Sequence, residues 1–391
     1  MSGGDPRNAR RRWRERWRRV HLWLGLSLGT VFALLGLTGS LLVYYTELDA
    51  WLNPPLQWQP GDGRVTNWDG VWRAIERAHP DRPHGWRIEL PPGGEGIVTA
   101  RYLKPVETRE RSFAPLLVSV HPRTHAVVSQ RFWGEFAMTW VYDLHYTLLM
   151  GTEGRTVVGV LGLALLASLG TGVVLWWPRS QAQWGQAWTA KGGAARPRRT
   201  WDQHRLMGVY GSLVLAVLAG TGVMLALPQW VEPAVGRLSP VRSLPSPTSL
   251  EPEAGAWRLT LDEALSVARA RLPGAVPRWV DTPDGPLGTF RFRMQQAGEP
   301  SDRFPRTFVW VDAWRPQVLA AHEAAGRSGG EAVLAWLHPL HNGEAFGAGG
   351  RALVAVAGLV LPALWVTGLV RWRDRARGRA ARLRTPDRRA G

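Results

Sequence analysis

The chain has 391 residues, no cysteine and a formal net charge of +17. The missing thiols exclude disulfides, iron–sulfur clusters, thiolate metal sites and haem attached covalently through a C-x-x-C-H element. Four long, essentially uncharged apolar runs exclude a wholly soluble protein, because each is long enough to cross a hydrocarbon core of about 30 Å as a helix.

Residues 1–19 form a basic tail with eight arginines. The first expected span follows at 20–45. Its apolar run is too long for a secretory signal and no small-x-small cleavage site follows it, so it reads as a retained anchor. Residues 46–131 then give a helical pattern (WDGVWRAIERAHPD) and strand-like runs (GWRIEL, GIVTARYL, LLVSVHPRTHAVVSQ), which suggests a small α+β module. A segment at 132–155, carrying His145, leads into a second span at 156–177. The loop 178–203 is basic and precedes a third span at 204–227. A second module is expected over 228–330, entered by the Pro/Ser-rich linker 243–255 and containing LTLDEALSVARARLPG, TFRFRM and TFVWVD. A segment with His341 (331–351), a fourth span (352–370) and a basic tail (371–391) complete the chain.

Both tails and the stretch 178–205 hold twenty-three basic residues against five acids, so the net positive charge sits beside the spans. Basic flanks stay in the cytoplasm. Both termini are therefore expected inside and both modules outside, in a bacterial inner membrane. Arginine runs next to spans retain them and touch anionic lipid, which argues against nucleic acid as a partner.

The chain is written twice. His21 precedes Thr38-Gly39 by 17 residues, and His204 precedes Thr221-Gly222 by 17. His145 precedes Thr171-Gly172 by 26, and His341 precedes Thr367-Gly368 by 26. Registered spacing in both pairs of spans marks an internal repeat. Each half begins and ends inside, so the halves are parallel and related by a pseudo-two-fold axis along the membrane normal. The expected architecture is a four-helix bundle of two parallel repeats with two external α+β modules. His21 should then face His204 near the inner surface, and His145 should face His341 near the outer one.

A single histidine at a membrane edge is ordinarily an interfacial residue. Four at repeat-related positions suit the axial positions of two b-type haems held between facing helices without a covalent link. Gly25 and Gly208, four residues after their histidines, would leave room for a flat macrocycle. Close helix contact through small residues is the competing explanation for these glycines. Two histidines without a nearby carboxylate or thiolate under-fill zinc coordination. His338 is a second-choice ligand, because Pro339 is expected to break the helical face it shares with His341. His121/His125 and His79/His84 flank prolines in expected loops, where no helix aims both rings together at a metal. The tryptophans of the modules are read mainly as packing residues.

The elements RRVHLWLGLSLG, LHYTLLMG, DQHRLMGVYGSL and LHPLHNGEAFG, in this order and topology, resemble the PepSY-associated transmembrane family over about 14–375. The resemblance implies periplasmic PepSY-type modules on a haem-carrying bundle, with His21 paired to His204 and His145 to His341. It implies outward electron transfer that reduces Fe(III) in a siderophore, as an oxidoreductase of iron uptake. No flavin domain is expected in the short inner segments, so the donor would be a separate flavin reductase or a quinol. Two other readings stand beside this one: a membrane-anchored module that binds peptides or proteins without redox chemistry, and a reductase of another periplasmic acceptor.

Overall fold

A computed structural model describes residues 6–384; the outermost residues of the two basic tails lie outside it. The first apolar run forms two helices, α1 (Pro6–Ser27) and α2 (Gly29–Leu42), which meet at Leu28 with their axes bent by 61°. The single span expected over 20–45 is therefore a broken one. The cause is a split in packing: α1 lies on the helix of the second span, and α2 lies on the helix of the fourth. Gly29 sits against the Trp365 indole, where any side chain would collide. A short α3 (Tyr45–Leu52) then leads to α4 (Trp68–Ala78), whose N-terminus is capped by the Asn67 side chain accepting from the Gly70 N–H at 2.7 Å.

Strands β1 (Trp86–Glu89), β2 (Val98–Tyr102), β3 (Leu116–Val120) and β4 (Val127–Phe132) follow, and then α5 (Ala137–Thr147), the long α6 (Gly151–Trp176) and the short α7 (Trp184–Ala187). The second half repeats the plan. Helix α8 (Arg196–Ala226) and α9 (Pro228–Leu238) precede α10 (Leu261–Arg271), strands β5 (Val276–Asp281), β6 (Phe290–Gln295), β7 (Thr307–Val311) and β8 (Val318–His322), then α11 (Gly329–Asn342) and α12 (Gly347–Arg384). Among the described residues, three helices are long and apolar enough to cross a membrane, over Gly151–Trp176, Arg196–Ala226 and Glu344–Gly378, and the bent α1–α2 pair makes a fourth if taken as one span.

The two helix-and-strand modules join edge to edge. All eight strands form one antiparallel sheet in the order β4-β3-β2-β1-β5-β6-β7-β8, with the seam between β1 and β5. Ile88 lies opposite Val280 there, and Arg87 pairs with Asp281 at 2.6 Å. Helices α4 and α10 cover one face and share one hydrophobic core with it, including Trp72, Ile75, Leu261, Leu265, Ile88, Phe290 and Phe292. Each helix also tends the start of the other. Asp262 accepts from the Asp69 N–H at 2.9 Å, and Asp69 accepts from the Leu261 N–H at 3.3 Å. These reciprocal carboxylates sit at the positive ends of both helix dipoles.

Along β6 the residues alternate, with Phe290, Phe292 and Met294 buried in the core and Arg291 and Arg293 on the opposite face. β7 is buried on both faces, so the second face of the sheet is covered as well. Contacts between halves come in matched sets: α2 packs on α12, and α6 packs on α8. Arg351 of α12 donates to the Val43 carbonyl at 2.8 Å, and Arg155 of α6 donates to the Leu225 carbonyl at 3.2 Å. Each guanidinium thus satisfies the open carbonyl end of the other half's helix.

Candidate functional site

Each Thr-Gly pair is a seat for one histidine. Thr171 Oγ1 lies 2.9 Å from His21 Nδ1, with the Ser168 carbonyl at 3.2 Å. Thr367 Oγ1 lies 3.0 Å from His204 Nδ1, with the Leu364 carbonyl at 3.1 Å. At the sheet end Thr38 Oγ1 is 3.0 Å from His145 Nδ1, and the Leu35 carbonyl completes the contact. Thr221 Oγ1 is 3.1 Å from His341 Nδ1, with the Leu218 carbonyl at 3.0 Å. In every seat the carbonyl belongs to the residue three before the threonine. The glycine after each threonine then leaves space for the ring: a Cβ at Gly172, Gly368, Gly39 or Gly222 would face His Cε1 at 3.3, 3.3, 2.9 or 3.0 Å.

This arrangement fixes the tautomer. Each threonine hydroxyl spends its proton on a carbonyl of its own helix, as in Thr221 to Val217 at 2.7 Å and Thr367 to Ala363 at 2.7 Å. Its oxygen must therefore accept, and a carbonyl can only accept. Nδ1 is the protonated nitrogen in all four rings, and Nε2 carries the lone pair. None of the four Nε2 atoms has a hydrogen-bond partner among the described residues.

The rings form two pairs. The His21 and His204 ring centres are 6.3 Å apart with planes at 81°, and those of His145 and His341 are 6.2 Å apart with planes at 49°. Two metal–nitrogen bonds of about 2.0 Å plus about 1.2 Å from each Nε2 to its ring centre give about 6.4 Å. A direct hydrogen bond between the two nitrogens, at about 3 Å, would bring the centres to about 5.4 Å. The observed spacing matches that of one ion between each pair when both Nε2 atoms point at it. Along the continuous α8, His204 and the Thr221 seat are 17 residues apart, or about 25 Å at 1.5 Å per residue. The pairs therefore stand near opposite ends of a bilayer core.

The histidines of α5 and α11 reach their seats through sharp reversals. Leu148 and Leu149 have φ of 51° and 61° before α6 begins, a conformation leucine adopts only when the surroundings impose it. Gly154 packs on the Thr147 carbonyl and Gly350 on the Gly343 carbonyl, a matched close approach that no side chain would permit. The Thr-Gly spacing marked the repeat in the sequence, but its role as a seat needed the fold, since each threonine serves a histidine on a different helix.

The glycines divide. A Cβ at Gly25 would meet nothing within 4 Å, and at Gly208 only Leu364 Cδ2 at 3.8 Å, so helix contact does not require either. Gly29 is a packing glycine. His338 lies outside the pairs: its ring stands edge-on to Phe304 at 5.5 Å, and its Nδ1 faces the Asn342 amide at 3.4 Å. Pro339 does not interrupt the helix, because α11 runs through it to Asn342. His121 accepts from the Arg123 and Thr124 N–H groups, His84 meets Arg258, and His79 packs on Trp86. No group of three or more metal-ligating side chains occurs among the described residues. Of the module tryptophans, Trp68, Trp72, Trp86, Trp279 and Trp310 are buried packing residues, whereas Trp257 is 90% exposed.

A helical membrane protein carrying an α+β module is the class these features define. The family described as PepSY-associated TM region matches residues 18–375, nearly the whole chain, and the protein belongs to it. No curated protein matches the chain.

Proposed function

We propose that the protein carries electrons across a bacterial inner membrane and delivers them to Fe(III) in a siderophore, as a ferric-chelate reductase. The observation that carries this reading is the duplicated pair of imidazoles, each with Nδ1 fixed and Nε2 free, at the spacing of a shared metal ion. The pairs lack cysteine and carboxylate partners, and open space surrounds Gly25 and Gly208, which fits a flat b-type haem at each pair. Haem held there would supply one-electron redox chemistry. His21 with His204 and His145 with His341 would hold it, and the threonine and carbonyl acceptors would raise their basicity and hold their orientation.

The arginine-rich end faces the cytoplasm in this account, because basic residues flank the helices there. A quinol or a separate flavoprotein supplies electrons at that end. A ferric chelate at the sheet end takes one electron, and the resulting Fe(II), with one less positive charge, is held less tightly by anionic oxygen donors. The test is anaerobic: chemically reduced protein is mixed with a panel of ferric siderophores and its reoxidation is followed. At least one siderophore should reoxidise it with release of Fe(II). Reoxidation by other acceptors but by no ferric chelate would contradict the reductase reading.

A further inference from the structure

Between the second face of the sheet and the ends of the helices lies a cavity of about 920 Å³, within the size range of small-molecule sites. Its floor includes Tyr142 and His338, which stand three residues before His145 and His341 and correspond to each other in the repeat. Four arginines line it: Arg242, Arg293, Arg306 and Arg327. Arg242 is paired with Glu331 at 2.9 Å, and Arg327 with Glu299 at 2.6 Å.

Arg293 and Arg306 have no carboxylate within ion-pair distance among the described residues. Arg293 instead lies over the Phe308 ring at 5.0 Å. Burial, with Arg87 nearby, pushes its pKa down to about 10, and burial lowers that of Arg306 as well. The lining carboxylates are Glu331, already paired, and Glu232, which lies beyond ion-pair distance of Arg306. Two guanidiniums without counter-ions, the half-buried Arg293 on β6 and the more exposed Arg306 just before β7, leave a positive field in a partly desolvated space. Such a field favours an anion.

We propose that this cavity binds a multiply charged, oxygen-rich anion, and that the acceptor it selects is a metal chelate of net negative charge. The acceptor role rests on the redox reading above, whereas the anion site does not. Arg293 and Arg306 supply the charge, and Gln229, which also lines the cavity, offers a neutral donor.

The test uses the full chain in detergent and redox-inert probes. Gallium(III) tris-catecholate is a trianion, and gallium(III) tris-acetohydroxamate is neutral. Equilibrium dialysis should show the trianion binding at least about tenfold more tightly than the neutral complex, and the Arg293→Gln/Arg306→Gln variant should lose at least about tenfold in affinity for the trianion. Equal binding of both probes, or unchanged binding in the variant, would overturn the proposal. Should the variant aggregate, the unmodified chain decides: trianion binding must weaken as salt is raised, and salt-independent binding overturns the site. Gallium(III) takes no electron, so binding is read whether or not the chain is pigmented. A colourless chain that binds the trianion supports the site and removes only the electron-transfer reading; a pigmented chain that ignores it removes only the site.

Discussion

Adding one methyl group to each histidine seat should discriminate between the two ends of the bundle. An alanine Cβ would stand 2.9 Å from His145 Cε1 at Gly39 and 3.0 Å from His341 Cε1 at Gly222, but 3.3 Å from the inner rings at Gly172 and Gly368. Carbon atoms settle at about 3.5 Å or more, so the ring must retreat by about 0.5–0.6 Å at the sheet end and only about 0.2 Å at the arginine-rich end. Metal–ligand bonds tolerate deviations of about 0.2 Å. Glycine to alanine within a helix is otherwise stabilising by about 0.5–1 kcal/mol, so a weakened helix cannot account for any loss. The assay is the ratio of bound haem to protein, from absorbance of the purified variants. Gly39→Ala and Gly222→Ala should each lose the sheet-end pigment, about half of the total, while Gly172→Ala and Gly368→Ala keep both, since only the former exceed the bond tolerance. Full pigment in Gly39→Ala, or equal losses at both ends, would refute the seat argument.

Other perturbations follow from the same contacts. His21→Ala with His204→Ala should remove the arginine-end pigment and leave the melting of the sheet domain unchanged; a simple anchor would show no spectral change at all. Thr221→Val removes one of two acceptors from His341 Nδ1 and should weaken pigment retention by about 10–100-fold at that pair, measured by haem transfer to an apoprotein scavenger. The Arg242 guanidinium, with the Ser328 and Arg242 N–H groups, holds the Glu331 carboxyl down at about 2. Its folded pKa lies below the unfolded value of about 4.3, so its stabilisation is complete above that pH and is lost as pH falls towards 2. Thermal melts should show this loss in the unmodified protein and not in Glu331→Gln. Asp262→Ala removes the carboxylate at the start of α4 and should lower the stability of the sheet domain by about 1 kcal/mol, read by denaturant unfolding.

The histidine set was legible in the sequence because the duplication fixed its spacing: 17 residues from His21 and His204 to their Thr-Gly pairs, and 26 from His145 and His341. The partners of those Thr-Gly pairs were not. Each seat lies on a helix other than the one carrying its histidine, and spacing along a chain says nothing about which helices touch. The break at Leu28 was not legible for a related reason, since Leu28 and Gly29 sit in an unbroken apolar run and the bend follows from two different packing partners. Alternation disclosed β6 and β7, whereas β5 was hidden by Pro277 and β8 by its short Ala-Ala core. The seam joining β1 to β5 is a tertiary pairing of edges, and the cavity is likewise tertiary: its arginines come from the segment after α9 (Arg242), from β6 (Arg293), from just before β7 (Arg306) and from just before α11 (Arg327). Tyr142 and His338 were visible as counterparts, but only the fold sets them beneath that cavity.

The central claim is that each pair of imidazoles holds one iron porphyrin. The measurement that bears on it most directly is the absorption spectrum of the purified full-length protein, oxidised and then reduced with dithionite, after expression with haem supplied. The account predicts sharp Soret and α bands of paired-imidazole haem at two haems per chain. A colourless protein, or pigment that survives alanine at all four histidines, would contradict it.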